Sequence, residues 1–262
     1  MKIIMLAMAI LAPRASAAAH TVAIRFVMAQ GSVSKTVKVE EGSRANFDGT
    51  VGGRRVIFVP VLSRADGGLR LDYQAELANG QSRTIQVQGA VGLRPGTSVM
   101  AVECGGWTVE LAVDAAVGAK SDAKGAWSGG PMNNQRLTAD VSTSAARRRC
   151  RQTLLLGSQT NIVDGGMSGD RKYGFILNVV TSASGASRNV QYQFENSPAG
   201  GKTVQGQGEV NLTPDHRSSS QGAGYKIDWL LEGAAPAAAA AVVPAAKAAP
   251  APEASGAVPL LR

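Results

Sequence analysis

The chain has 262 residues, with 27 Lys and Arg against 19 Asp and Glu, two His, two Cys and a formal charge of +8. That length fits one large domain or two ordinary ones, and 44% hydrophobic residues place it among globular rather than disordered sequences. Two cysteines are too few for a small disulfide-stapled scaffold, two histidines exclude a multi-histidine metal centre, and no apolar run of about 20 residues follows the first 20.

Residues 1 to 19, MKIIMLAMAILAPRASAAA, read as a secretory signal peptide. Lys2 is a positive n-region, Ile3 to Leu11 is an apolar h-region, and Ala15-Ser16-Ala17 and Ala17-Ala18-Ala19 are small-x-small cleavage patterns. A first buried helix fits less well, because the apolar run is short and ends at Pro13. Removing the leader removes Lys2 and Arg14 and no acid, which takes the formal charge from +8 to +6. The expected destination is the periplasm, the cell surface or the medium, where Cys104 and Cys150 are free to pair. A basic balance there points to an anionic envelope polymer or a protein partner and away from nucleic acid.

After the leader the residue pattern has period two. Thr21 to Val27 alternates as a first strand. Val33, Val37 and Val39 share one face of a second, with Lys35 the single charge on that face. Val56 to Leu62 is a continuous apolar run, the text of a strand buried on both faces. Leu69 to Leu77 and Thr84 to Gln88 alternate again, and Thr108 to Val113 closes the unit. Ala65-Asp66-Gly67-Gly68 and Ala78-Asn79-Gly80-Gln81 are turn text between them.

The same text is then written a second time. T-x-Q-x-Q-G-x-V-x-L-x-P covers residues 84 to 95 and 203 to 214, an offset of 119. Tyr73-Gln74-x-Glu76 matches Tyr192-Gln193-x-Glu195 at that offset, Gly52-x-Arg54-Arg55-x-x-Phe58 matches Gly169-x-Arg171-Lys172-x-x-Phe175 at 117, and Gly106-Trp107 matches Gly224-Tyr225 at 118. Gly42-Ser43-x-x-Asn46 matches Gly157-Ser158-x-x-Asn161 at 115. An ordered series of this kind indicates duplication of a whole unit of roughly 95 residues, too long for a solenoid repeat. Six or seven short strands per unit, with regular turn signals and no helical heptads, predict two packed antiparallel sheets, an all-β, Ig-like β-sandwich.

The predicted organisation is a leader (1–19), one sandwich module (20–116), a Gly/Ser/Asn-rich linker (117–136), a second module (137–233) and an Ala/Pro-rich tail (234–262). In the tail, Pro236, Pro244, Pro250, Pro252 and Pro259 recur too often for a helix, and Ala and Pro bury little surface, so it is expected to be disordered and extended.

Candidate site residues are few. Gln86 and Gln88, and their counterparts Gln205 and Gln207, share exposed strand faces; they read either as a polar ligand face or as a solvated face repeated by duplication. Arg147, Arg148, Arg149 and Arg151 flank Cys150 and read either as a docking site for an anionic polymer or as a solvated segment. On a strand their side chains alternate faces, so they do not all meet one anion. Cys104 and Cys150 have no counterpart cysteines at 223 (Ala) and 35 (Lys), so their bond is expected to link the two modules. No G-x-S-x-G, H-E-x-x-H, Walker or Rossmann pattern occurs, and Gly165 to Gly169 reads as turn text.

The expected function is therefore that of an exported bacterial cell-envelope protein with a non-catalytic binding or structural role and no cofactor. One alternative is a periplasmic copper protein, if cleavage after Ala19 makes His20 the N-terminus, with His216 as a second ligand. A carbohydrate-binding module is a further class. It calls for exposed aromatics on a sheet face, whereas of Trp107, Trp127 and Trp229 two lie on or beside predicted core strands.

Overall fold

The computed structural model describes residues 17–65, 67–80, 82–117, 134–184 and 187–232. The first 16 residues of the expected leader, most of the expected linker and the Ala/Pro tail lie outside the described residues.

The described residues form strands and turns with no helix. The first half contributes β1 (Ala19–Met28), β2 (Gly31–Glu40), β3 (Ser43–Arg44), β4 (Phe47–Val51), β5 (Arg54–Ala65), β6 (Gly68–Asn79), β7 (Arg83–Leu93), β8 (Thr97–Cys104) and β9 (Trp107–Val113). The second contributes β10 (Asn134–Thr143), β11 (Arg147–Leu155), β12 (Gln159–Ser168), β13 (Arg171–Ser184), β14 (Ser187–Ser197), β15 (Val204–Leu212), β16 (Arg217–Gly222) and β17 (Tyr225–Glu232). Two antiparallel sheets result. One has eight strands in the order β16-β17-β10-β11-β8-β9-β1-β2; the other has nine, β15-β14-β13-β12-β7-β6-β5-β3, with β4 also on β5.

Alternation decides which side chains meet between the sheets. Val22, Ile24 and Phe26 of β1, Leu71, Tyr73, Ala75 and Leu77 of β6, and Phe175, Leu177 and Val179 of β13 are buried. Trp107 and Trp229, on the predicted core strands, are buried among them. In β5 the apolar run is less symmetric than its text: Phe58 and Leu62 are sealed, while Ile57 and Val61 are half-buried on the outer face. Pro60 of β5 has no N–H to give its neighbour, and the edge partner breaks there into β3 and β4, with only Ala45 N donating to Pro60 O between them.

Among the described residues the two halves share both sheets. β7 pairs with β12 and β8 with β11, so both sheets run through the junction and one apolar interior runs through the described residues. The physical reason is edge satisfaction. Four strand edges that would present unpaired N–H and C=O groups to solvent satisfy one another instead. The expected turn at Gly165 to Gly169 is also displaced: β12 extends to Ser168. Gly166 is there because β7 approaches closely; a Cβ would lie 2.2 Å from Ser82 O.

Candidate functional site

The outer face of the nine-stranded sheet carries a row of amides in direct cross-strand register. Gln74 of β6 faces Gln88 of β7, Gln88 faces Asn161 of β12, Asn161 faces Asn178 of β13, Asn178 faces Gln193 of β14, and Gln193 faces Gln207 of β15. At ordinary strand spacing the row is roughly 24 Å long. A parallel row runs Glu76, Gln86, Val163, Ile176, Glu195, Gln205. Within it Gln86 Nε2 donates to Glu76 Oε2 at 2.8 Å and Gln205 Nε2 to Glu195 Oε2 at 2.7 Å, the same contact in each half.

This face therefore unites all four glutamines singled out in the sequence. It adds Gln74, Asn161, Asn178 and Gln193, which the sequence reading left out. The missing signal was register, since Asn161 and Asn178 join the row only once β12 is placed between β7 and β13. Gln74, Gln88, Gln193 and Gln207 are exposed, whereas the side-chain oxygens of Asn161 and Asn178 are buried and accept no hydrogen bond among the described residues. A hollow of about 400 Å³ beside Gln74, Gln88, Asp72 and Gln159 borders the row.

The arginine run lies on β11 and splits by alternation. Arg147 and Arg149 point outward to Asp140, at 2.6 and 3.0 Å, and Arg151 points outward to Glu103 at 3.1 Å and Glu232 at 3.5 Å. Arg148 points inward. Its Nη1 donates to Asp164 Oδ2 at 2.7 Å and its guanidinium lies over the Phe175 ring. Each of the four guanidinium groups thus meets a carboxylate of the chain itself.

Asp164 was not singled out by sequence, yet it is the polar centre of the junction. Its carboxylate accepts both Arg83 Nε (2.9 Å) and Arg83 Nη2 (2.8 Å), Arg148 Nη1, and Trp107 Nε1 (3.1 Å). Burial pushes its pKa up, but the Arg83 hydrogen bonds and the Arg148 and Arg83 charges outweigh burial and hold it below the ordinary range. The readable signal was parity: Asp164 shares a strand face with Ile162, which points to the core. Beside it the Cys104–Cys150 disulfide joins β8 to β11 at directly opposed positions, with both residues buried. The hairpin registers pair Cys104 with Trp107 and Gly222 with Tyr225.

Comparison with protein-family models, with curated proteins and with solved structures finds no match.

His20 lies on β1. Its Nδ1 is 2.7 Å from Asp114 Oδ2 and its Nε2 is 3.1 Å from Glu41 Oε1. The Asp114 hydrogen bond, opposed by burial and aided by Glu41, raises its pKa. Glu41, held mainly by Arg64 and then by His20, is lowered to about 2. Both ring nitrogens of His20 are thus engaged by carboxylates. His216 precedes β16, at the far end of the eight-stranded sheet, roughly six strand spacings or 29 Å away. The two histidines do not converge on one ion, and no cluster of three metal-binding side chains occurs among the described residues.

Proposed function

We propose that this protein is a non-catalytic binding and structural component of the bacterial cell envelope, built from a duplicated sandwich unit, with the amide face of the nine-stranded sheet as its binding surface. The observation that carries the reading is the in-register row from Gln74 to Gln207. Each amide both donates and accepts hydrogen bonds. A row of them, open to solvent at its ends, matches an extended chain whose groups also do both. A neutral, hydroxyl-rich polysaccharide fits best. An anionic polymer fits this face poorly, because Glu76 and Glu195 lie on it, and the arginines of β11 are already matched by acids.

Export is supported by the leader-like text of residues 1 to 19 and by the disulfide. The fold favours cleavage after Ala17. Ala18 O accepts from Glu41 N and Ala19 opens β1, and a cut after Ala19 discards both. The duplication is supported by strand order, β8-β9-β1-β2 against β16-β17-β10-β11, and by the twin Gln–Glu contacts.

The test is affinity electrophoresis through gels holding neutral dextran or hydroxyethylcellulose, with alginate as the anionic control. The neutral polymers should retard the protein with little dependence on salt. Gln88→Ala with Gln193→Ala should weaken retardation roughly thirtyfold at unchanged melting temperature, given about 1 kcal/mol for each of the two lost hydrogen bonds. Retardation by alginate alone overturns the assignment.

A further inference from the structure

The junction inside the chain is head-to-tail. β7 and β8 of the first half meet β12 and β11 of the second. A heterologous contact of this kind uses two different surfaces, and each half owns both. One pair is consumed internally. What remains is β2 with β4 at one end of the sandwich and β15 with β16 at the other. The strand registers make these free edges the counterparts of the joined ones: β15 and β16 stand where β7 and β8 stand, and β4 and β2 where β12 and β11 stand.

The two ends also differ in shape. At the β15–β16 end a hollow of about 490 Å³ is bordered by Gly206, Gly222 and Tyr225 and by Gln193, Gln205 and Gln207 of the amide face. Gly206 and Gly222 are covered by the edge-to-face pair Phe194–Tyr225: a Cβ at Gly206 would lie 2.3 Å from Phe194 and one at Gly222 2.4 Å from Tyr225, so both glycines let these rings close down on the strands. The β2–β4 end presents Phe47 with the Lys35 ammonium 4.0 Å from the centre of its ring. In the junction the corresponding positions hold Asp164 and Cys150, facing Trp107. By the same correspondence Phe47 and Lys35 come opposite Tyr225 and Gly222, where an aromatic ring and a cation can both meet the Tyr225 ring.

We propose that the occupant is a second copy of this chain, and that molecules associate head-to-tail, β2 on β16 and β4 on β15, by the arrangement already used inside each molecule. The inference rests on the duplicated-unit reading. An inward lysine on an edge strand normally discourages pairing. Here the correspondence places Lys35 opposite Gly222 with the Tyr225 ring beside it, so association is selective for this end rather than open to any strand.

The test uses the outward pair Glu103 and Arg151, which are opposed across the junction. Their counterparts are Gln221 and Thr36, both exposed. β2 and β16 terminate opposite ends of the eight-stranded sheet, roughly 34 Å apart, so a bond between them joins two molecules. Full-length T36C/Q221C, oxidised, should give a reductant-sensitive series of dimers, trimers and larger species or a closed ring, with peptide mapping placing the bond between positions 36 and 221. Neither single variant should give it, and sedimentation of the unmodified protein should show concentration-dependent growth. A folded double variant that stays monomeric with free thiols overturns the proposal. If that monomer is still retarded by neutral polysaccharide, self-association alone fails and the binding face stands.

Discussion

The junction between the halves and the outer face of the eight-stranded sheet use the same chemistry, arginine on carboxylate, from the same strand. Arg148 of β11 turns inward to Asp164; Arg147 and Arg149, one position either side, turn outward to Asp140. Yet the settings differ. Arg83 and Arg148 are 30% and 23% exposed around a carboxylate at 1%, whereas Arg147 and Arg149 are 67% and 58% exposed. Water can replace Asp140 for its partners and cannot readily replace Asp164. The lesson is that a run of like charges in sequence is no single feature. Strand parity sends one member to a buried network and the others to a surface where ion pairs contribute little.

Asp164→Asn breaks this comparison at its strongest point. It leaves two guanidinium groups facing an amide inside the junction, and the expected loss is about 3–5 kcal/mol by denaturant unfolding. The pH dependence carries a definite sign. The Asp164 pKa is lowered on folding, so its stabilisation is present above the ordinary value of 3.8 and is lost as pH falls below it. Wild type and variant should therefore converge in acid. A loss that persists undiminished there would mean that packing, not charge, decides the site.

The disulfide sharpens the same point by a covalent route. It spans a sequence separation of 46, worth roughly 4 kcal/mol in the chain-entropy picture. Replacing both Cys104 and Cys150 by Ala should lower the unfolding free energy by that amount or somewhat less, in a single transition. Pairing of β7 with β12 and the Asp164 network still hold the halves as one body. Two separated transitions would show that the interior is not shared.

How much of this was legible follows from where the signals live. Strands such as Leu69 to Leu77 announce themselves because one side of each faces the core, and alternation is a local property. The Gln86, Gln88, Gln205 and Gln207 face was legible for the same reason. The fused sheets were not, because edge pairing is non-local; nothing in the text of β7 says that β12 will lie beside it. Lys35 is instructive in hindsight. It sits on the apolar face of β2, a strand that stays at an edge, whereas Cys150, an uncharged residue on the inner face of β11, sits on a strand that pairs. Asp164 was obscured because Asp followed by two glycines reads as a turn, and only the approach of Ser82 explains why those glycines belong to a strand.

The smallest effect is expected at Asp140. Its carboxylate is itself buried, which by that measure alone predicts a cost as large as at Asp164. Two facts reduce it. Arg147 and Arg149 reach water and can rehydrate when the charge is removed, so the lost pairs are worth no more than about 1 kcal/mol together. Asp140 also stands directly opposite Asp228 across β10 and β17, a like-charge pair that removal relieves. Asp140→Asn should therefore shift the unfolding free energy by less than about 1 kcal/mol, in either direction. A loss matching that of Asp164→Asn would mean that burial of the carboxylate, rather than access of its partners to water, sets the value of an arginine pair in this sandwich.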